Sequence, residues 1–180
     1  YFFIKHSKKV SNKNMKKKII KKMISSKFRQ KNNKNKSIIN CKIGKNFKFV
    51  EPINIYGSEF GNDVFVGPFV EIQKNVKIND NTKISSHSFI CELVSIGKNC
   101  FIGHGVMFVN DLFKTGKLGG IKKNWFSTDI KDNVLIGSNA TILPVKISKG
   151  CVIGAGSVVV KDCNIKGVYL GNPAKLIRKL

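Results

Sequence analysis

Hydrophobic residues recur along this chain with a period of six from residue 60 onward. In blocks of six the sequence runs FGNDVF, VGPFVE, IQKNVK, INDNTK, ISSHSF, ICELVS, IGKNCF and IGHGVM, and after an interruption it resumes with IKDNVL, IGSNAT, ISKGCV and IGAGSV. The first position is Val or Ile in every block from Val66 onward, and the fifth is small or β-branched. A period of six fits neither an amphipathic helix nor an alternating strand.

The six-residue period predicts short parallel strands wound into a triangular coil, three blocks to a turn. The aliphatic residue then points inward, and the small residue fits beside it where the backbone turns a corner. Coils stacked roughly 4.8 Å apart share parallel ladder hydrogen bonds and a continuous core. This arrangement resembles the left-handed parallel β-helix. We therefore predict an all-β fold, a single-stranded left-handed parallel β-helix of hexapeptide repeats, over residues 38–170.

Two segments depart from the repeat. Residues 111–129 contain three glycines, several lysines and Trp125, and we expect a protruding loop that acts as a lid or binding element. A solvated insertion without function is the alternative. Residues 171–180, "GNPAKLIRKL", are expected to form a cap that ends in a short helix.

The net charge of +23 is unevenly distributed, since residues 1–37 hold 14 of the 33 basic residues and no acidic one. We expect this Lys- and Asn-rich extension to be disordered, and because the chain begins at Tyr1 we expect a fragment or a start at Met15 or Met23. Arg is nearly absent, so the charge is read as coding bias and no nucleic-acid partner is expected. No apolar run is long enough for a signal peptide or a membrane span. The cysteines form no CxxC pair, which favours reduced thiols and a cytoplasmic location.

Two pairs of polar residues have the spacing of one coil. His87 and His104 are 17 residues apart at outward turn positions, and are expected at one corner of adjacent coils. Glu92 and Asn110 are 18 apart and are expected to stack at the next corner, just before Asp111.

A whole block separates these two corners, so a site that uses both needs a second subunit. We therefore expect a homotrimer with intersubunit sites, with the outward-facing Phe89 and Met107 as candidate interface residues. For His104 the alternative is an exposed turn residue without function. A zinc site of the gamma-class carbonic anhydrase kind needs three imidazoles, and the third would be His6 in the extension, so no metal is expected.

The segments "SHSFICELVSIGKNCFIGHGVMFVND", "IGSNATILPV", "IGAGSVVVKD" and "GNPAK" resemble those of bacterial sugar-nucleotide N-acyltransferases of the hexapeptide-repeat class. The most similar group acetylates a 3-amino sugar on UDP or dTDP, as UDP-2-acetamido-3-amino-2,3-dideoxyglucuronate N-acetyltransferase and the dTDP-3-amino-3,6-dideoxyhexose enzymes do. The resemblance implies a homotrimer that binds acetyl-CoA, as co-substrate, in the groove between subunits. It also implies a nucleotide-linked amino sugar, a precursor of surface polysaccharide, as acceptor.

The resemblance also assigns roles to individual residues. It implies that His104 and Asn110 are catalytic, and that His87, Glu92, Asp111 and Trp125 bind the sugar substrate. The residues that it places along acetyl-CoA are Gly137, Ser138, Gly154, Ala155, Lys161, Asn172, Pro173 and Lys175.

The reactants define two possible mechanisms. A sugar amine is mostly protonated at neutral pH, so the His104 imidazole would take its proton before the amine attacks the thioester. Alternatively, Asn110 orients an amine that arrives neutral, and the departing thiolate accepts the proton. A coil backbone N–H would meet the developing oxyanion, and no covalent acyl-enzyme on Cys91 or Cys100 is required.

Two other functions remain open from the sequence. One is an O-acetyltransferase of a sugar or of serine. The other is a non-catalytic β-helix scaffold whose basic extension binds anions. The identity of the sugar, of the nucleotide and of the acyl group is not fixed by these patterns.

Overall fold

Short strands wind into three parallel sheets in the computed structural model, which describes residues 37–117 and 125–180. Sheet A contains β1 (Ile38–Ile39), β4 (Asn54–Tyr56), β7 (Glu71–Ile72), β10 (Phe89–Ile90), β13 (Met107–Phe108), β16 (Thr141–Ile142) and β19 (Val158–Val159). Sheet B contains β2 (Lys42–Ile43), β5 (Glu59–Phe60), β8 (Lys77–Ile78), β11 (Val94–Ile96), β14 (Thr128–Ile130) and β17 (Lys146–Ile147). Sheet C contains β3 (Lys48–Phe49), β6 (Phe65–Val66), β9 (Lys83–Ile84), β12 (Phe101–Ile102), β15 (Leu135–Ile136), β18 (Val152–Ile153), β20 (Gly167–Gly171) and β21 (Ala174–Lys179).

The chain visits the sheets in the order A, B, C, and each strand pairs in parallel with the strand one coil later. Phe101, for example, pairs with Leu135, and Ile102 with Ile136. The ladder continues into the corners, where Gly103 donates its N–H to the Ile136 carbonyl at 2.8 Å. The predicted parallel β-helix is therefore confirmed, including the degenerate first coils before residue 60.

The core is a stack of aliphatic side chains, one from each block. The first-position residues point inward and are almost completely buried, as the sequence pattern predicts. The largest of them are Ile72, Ile78, Ile84, Ile90, Ile96, Ile102, Ile130, Ile136, Ile142 and Ile147. The fifth-position residues are buried too, and the polar ones are satisfied: the Thr82 hydroxyl donates to the Gly97 carbonyl at 2.8 Å, and the Ser88 hydroxyl to the Gly103 carbonyl at 2.9 Å.

The corners require left-handed backbone conformations and close contact between coils. Asn is the commonest non-glycine residue with positive φ, because its short polar side chain tolerates that region. Gly103 and Gly137 serve the second need. A Cβ on Gly103 would lie 2.6 Å from the Ser138 nitrogen, and one on Gly137 would lie 2.5 Å from the Ala155 nitrogen.

The predicted C-terminal helix is wrong. Residues 174–179 form β21, which pairs antiparallel with β20 and lengthens sheet C. Local sequence does not exclude a helix here, but β20 offers an unpaired edge whose backbone groups β21 satisfies, and Ala174 and Leu176 turn toward the core. The described residues contain no α-helix, so none of them forms a helix that could cross a membrane.

We predict that truncating an inward and an outward residue of the same strand will have very different effects. Ile136 is fully buried and its neighbour Leu135 is 46% exposed. Ile136→Ala should lower the free energy of unfolding by about 2–5 kcal/mol through a core cavity. Leu135→Ala, the matched control, should change it by no more than about 0.5 kcal/mol. Urea unfolding followed by circular dichroism measures both, and equal effects would contradict the inward–outward assignment.

Candidate active site

The corner between sheets C and A contains both coil histidines. We call it the histidine corner. It consists of residues 67–70, 85–88, 103–106, 137–140 and 154–157 on successive coils. Backbone hydrogen bonds tie these coils together, since Gly105 donates to the Ser86 carbonyl at 2.9 Å and Asn139 to the His104 carbonyl at 2.8 Å. The prediction that His87 and His104 share one corner is confirmed.

His104 is exposed and is held through one ring nitrogen. Its Nδ1 lies 2.8 Å from the Ser86 hydroxyl oxygen on the preceding coil. If Nδ1 carries the proton, it donates to Ser86, and Nε2 then has a lone pair with which to accept a proton. The contact fixes the ring orientation and selects one nitrogen for chemistry.

His87 has a different partner on the other side. Its ring stacks on that of Phe69, with centroids 4.8 Å apart and planes at 11°. Both residues have positive φ, 61° for His87 and 58° for Phe69. His87 is half-buried between its coil neighbours, so it presents a flat surface rather than a free ring nitrogen as its main feature.

The turn residues assigned to acetyl-CoA lie at the histidine corner as well. Gly137 and Ser138 are one coil beyond His104, and Gly154 and Ala155 are two coils beyond it. Their side chains are absent or small, so the corner beyond His104 is shallow and lined by backbone. A ligand that runs along the coils would meet no bulky side chain there.

Glu92 and Asn110 lie at the next corner, between sheets A and B. The Asn110 amide donates to the Glu92 carbonyl oxygen at 3.3 Å, which confirms that these residues stack. The Glu92 side chain is buried, and its carboxylate lies 3.4 Å from the Asn75 amide and 3.9 Å from the Lys74 ammonium group. We call this pair, with its two neighbours, the carboxylate corner.

The ends of the protruding loop are fixed at the carboxylate corner. Phe126 donates its N–H to the Asn110 carbonyl at 2.9 Å, and Asp111 accepts the N–H of Phe113 at 2.8 Å. Lys114 lies 4.4 Å from the centre of the Phe126 ring, and Trp125 is half-buried beside it in sequence. Lys122 and Lys123, which contribute to the positive charge of this loop, lie outside the described residues.

Within one chain the two corners stay apart, because β10 and β13 of sheet A lie between them. The remaining residues assigned to acetyl-CoA are further away still. Lys161 is exposed at the turn that follows β19, and Asn172, Pro173 and Lys175 lie in the hairpin between β20 and β21. The structure thus groups His87 with His104, and Glu92 with Asn110, but does not join the two pairs.

Sequence reasoning missed Ser86 and Phe69. Ser86 precedes His104 by 18 residues, one full coil, and Phe69 precedes His87 by the same interval. The period itself identifies both partners. They were missed because only residues with titratable side chains were compared across coils.

The buried cysteines are not suited to nucleophilic chemistry. Burial raises the pKa of Cys91 and of Cys163 to about 12, so both are neutral thiols at physiological pH. Burial also raises the pKa of Cys100. Among the described residues, no three His, Cys, Asp or Glu side chains converge in a way that could hold a metal ion.

The coils match two repeat families. Residues 57–92 match the family described as bacterial transferase hexapeptide (six repeats), and residues 93–107 and 128–161 match the hexapeptide repeat of succinyl-transferase. The chain is 38% identical over 152 residues, 81% of its length, to the bifunctional protein GlmU of Clostridioides difficile, and 33% identical over 161 residues, 79% of its length, to that of Thermotoga maritima. It spans only 30% and 34% of the length of these relatives.

Solved structures share the fold at lower identity. AntD, an N-acyltransferase from Bacillus cereus, in complex with dTDP and coenzyme A, aligns with a TM-score of 0.64 at 19% identity, covering 78% of this chain and 84% of that one. PerB from Caulobacter crescentus, in complex with CoA and GDP-perosamine, aligns with a TM-score of 0.56 at 21% identity, covering 77% and 55%.

We predict that the native protein exposes one reactive thiol. Cys41 is partly exposed, whereas the other four cysteines are buried. Ellman's reagent at pH 7.4 should label one thiol rapidly in the folded chain and five after denaturation. Cys41→Ser should abolish the rapid phase. Rapid labelling of Cys91 in the folded protein would contradict its assignment as an inert core thiol.

Proposed function

We propose that this chain, which belongs to the bacterial hexapeptide-repeat transferases, transfers an acetyl group from acetyl-CoA to the amino group of a nucleotide-linked amino sugar. One observation carries the proposal. His104 is exposed at the head of a corner whose next two coils have only small turn residues, and Ser86 holds its Nδ1 at 2.8 Å. An oriented imidazole beside a shallow backbone groove suits attack of an amine on a thioester.

The proton transfer follows from the Ser86 contact. Ser86 accepts from Nδ1–H, and Nε2 removes a proton from the sugar ammonium group, which leaves a neutral amine. The amine nitrogen then attacks the thioester carbonyl carbon, the tetrahedral intermediate collapses, and the C–S bond breaks. The amide nitrogen loses its second proton, CoA leaves as the thiol after taking up a proton, and no covalent acyl-enzyme forms.

The alternative role of Asn110 is weaker in a single chain. Its amide group already donates to the Glu92 carbonyl at 3.3 Å, so only its remaining amide hydrogen and its oxygen are available to orient a sugar. We assign Asn110, Asp111, Glu92 and Trp125 to substrate binding from the carboxylate corner, and His104 to the proton transfer.

Acetyl-CoA is assigned to the stretch of the histidine corner beyond His104. Small residues there let the pantetheine arm approach the backbone, as described for Gly137 and Gly154. The nucleotide end of CoA carries several negative charges. Lys161 and Lys175 are exposed cations toward the C-terminal end of the coils, and they and the Asn172-Pro173 turn would receive it.

Two solved neighbours support a nucleotide-linked acceptor. AntD was crystallised with dTDP and coenzyme A, and PerB with CoA and GDP-perosamine. Their likeness to this chain is one of fold, so the nucleotide and the sugar are open. A hydroxyl acceptor would use the same imidazole, and the acceptor panel below separates the two. The five free cysteines fit a reducing cytoplasm.

A trimer would complete the site. The histidine corner of one chain and the carboxylate corner of its neighbour would face one groove, since no side chain spans the two within one chain. Sheet A offers an apolar surface for this contact, with Phe89 half-buried and Met107 exposed, whereas the outward column of sheet B carries ion pairs such as Lys42–Glu59 at 2.7 Å.

We predict that His104→Ala will lower kcat by about 10²–10⁴-fold, the usual contribution of a general base. The readout is CoA release from acetyl-CoA with a panel of UDP-, dTDP- and GDP-linked amino sugars and their hydroxyl counterparts. Lys98→Ala is the matched control, because Lys98 has the same position in the preceding block at a different corner. A wild-type rate in His104→Ala would remove the imidazole from the mechanism.

We predict that Met107→Glu will dissociate the trimer, because it places a charge on the apolar outer face of sheet A. Light scattering should report three chain masses for the parent and one for the variant, with loss of acetyl transfer. Lys77→Glu on sheet B is the control and should leave the mass unchanged. A parent protein of one chain mass would overturn the intersubunit site.

A further inference from the structure

The stacked pair of Phe69 and His87 is not used by the chemistry at His104. Phe69 is 57% exposed, although it is one of the largest apolar side chains at the histidine corner. His87 covers one side of its ring in a nearly parallel stack. The pair therefore forms a flat aromatic surface that is open to solvent.

Both side chains stand at a backbone position that disfavours them. The equivalent turn position on the next three coils is occupied by Gly105, Asn139 and Gly156, which adopt positive φ readily. A bulky aromatic residue at positive φ is uncommon and destabilising. Because Phe69 is largely exposed, core packing does not compensate for this conformation.

A cavity of about 290 Å³ lies against Phe69 on the side of the preceding coil, away from His87. Its polar lining consists of Asn54 and Glu71, which pair directly across β4 and β7. An amide and a carboxylate side by side can accept from and donate to the edge of a planar heterocycle. The other residues that line it are Pro52, Ile53, Phe69 and Val70.

The spacing along the corner relates this surface to the proposed reaction. Phe69 lies two coils before His104, about 10 Å at the rise of stacked strands. A ribose and a diphosphate bridge a gap of this order between a base and a linked sugar. The coils on the opposite side of His104 are those assigned to acetyl-CoA, so this stretch is left for the acceptor.

We propose that Phe69 and His87 form the stacking platform for the base of the nucleotide-linked acceptor, with Asn54 and Glu71 at the base edge. This inference rests on the proposed function, since it assumes that the sugar amine is presented to His104. It assigns the acceptor to the coils before His104 and the acyl donor to the coils after it.

The test measures nucleotide affinity separately from catalysis. Isothermal titration of the full chain with UDP, dTDP and GDP, and with CoA, gives the Kd values. Phe69→Ala should weaken the preferred nucleoside diphosphate roughly 5- to 150-fold, the range expected for loss of one base–aromatic stack. Phe69→Trp should retain binding within a few-fold. Phe101→Ala, which removes an equally exposed aromatic ring on sheet C, is the control, and CoA affinity should be unchanged throughout.

Each outcome bears on the platform. Nucleotide binding in Phe69→Ala that equals the parent's overturns it, as does a parent that binds none of the three nucleotides. Equal weakening of CoA, or a changed mass by light scattering, shows a structural role for Phe69 and also overturns it. Acetyl transfer in the parent is scored independently. If transfer persists while the platform fails, the proposed function stands, and if nucleotide binding depends on Phe69 without any transfer, the proposed function fails while the platform stands.

Discussion

The parallel backbone ladder between successive coils is the constraint on which the rest of this structure depends. Each coil donates its N–H groups to the carbonyls of a neighbouring coil, both along the strands and through the corners. Because the ladder repeats, residues one coil apart in sequence lie directly above one another. A residue therefore has its partners defined by the period, and each corner is a column of equivalent positions. The aliphatic core, the stacked turn asparagines and the Ser86–His104 contact are all products of that single translation.

Much of the fold follows from the sequence for the same reason. Ile84, Ile102 and Ile136 recur at intervals that only a coil of three blocks can bury together, and their burial needed no tertiary information to predict. The C-terminal strand could not be predicted in this way, because β21 is not a repeat and is selected by the free edge of β20. The period likewise brings His87 and His104 to one corner. Whether His104 contacts Ser86 depends on side-chain rotamers, which the period does not define. The partner of the carboxylate corner belongs to the assembly, about which the pattern of one chain carries no direct signal.

The two corners divide the chemical work between different physical properties. At the histidine corner the side chains are small or flat and the backbone is accessible, which suits extended ligands that run along the coils. The carboxylate corner is instead crowded and polar: Glu92 is buried among Lys74, Asn75 and Asn110, and both ends of the loop are fastened there. A loop anchored at both ends has a short closure, so its middle can differ in sequence without disturbing the coils below.

The pairing of Val94 with Thr128 has a wider meaning for how such a chain changes over time. These strands are 34 residues apart, about twice the usual interval, yet the coils on either side continue as though nothing had been inserted. The prism therefore behaves as a ruler graduated in coils, on which extra chain can be hung at a corner without moving the marks. Adding or deleting one whole coil would shift the distance between two stations on the same edge by a fixed step of roughly 4.8 Å. Molecules of different length can thus be accommodated by counting turns rather than by redesigning a pocket.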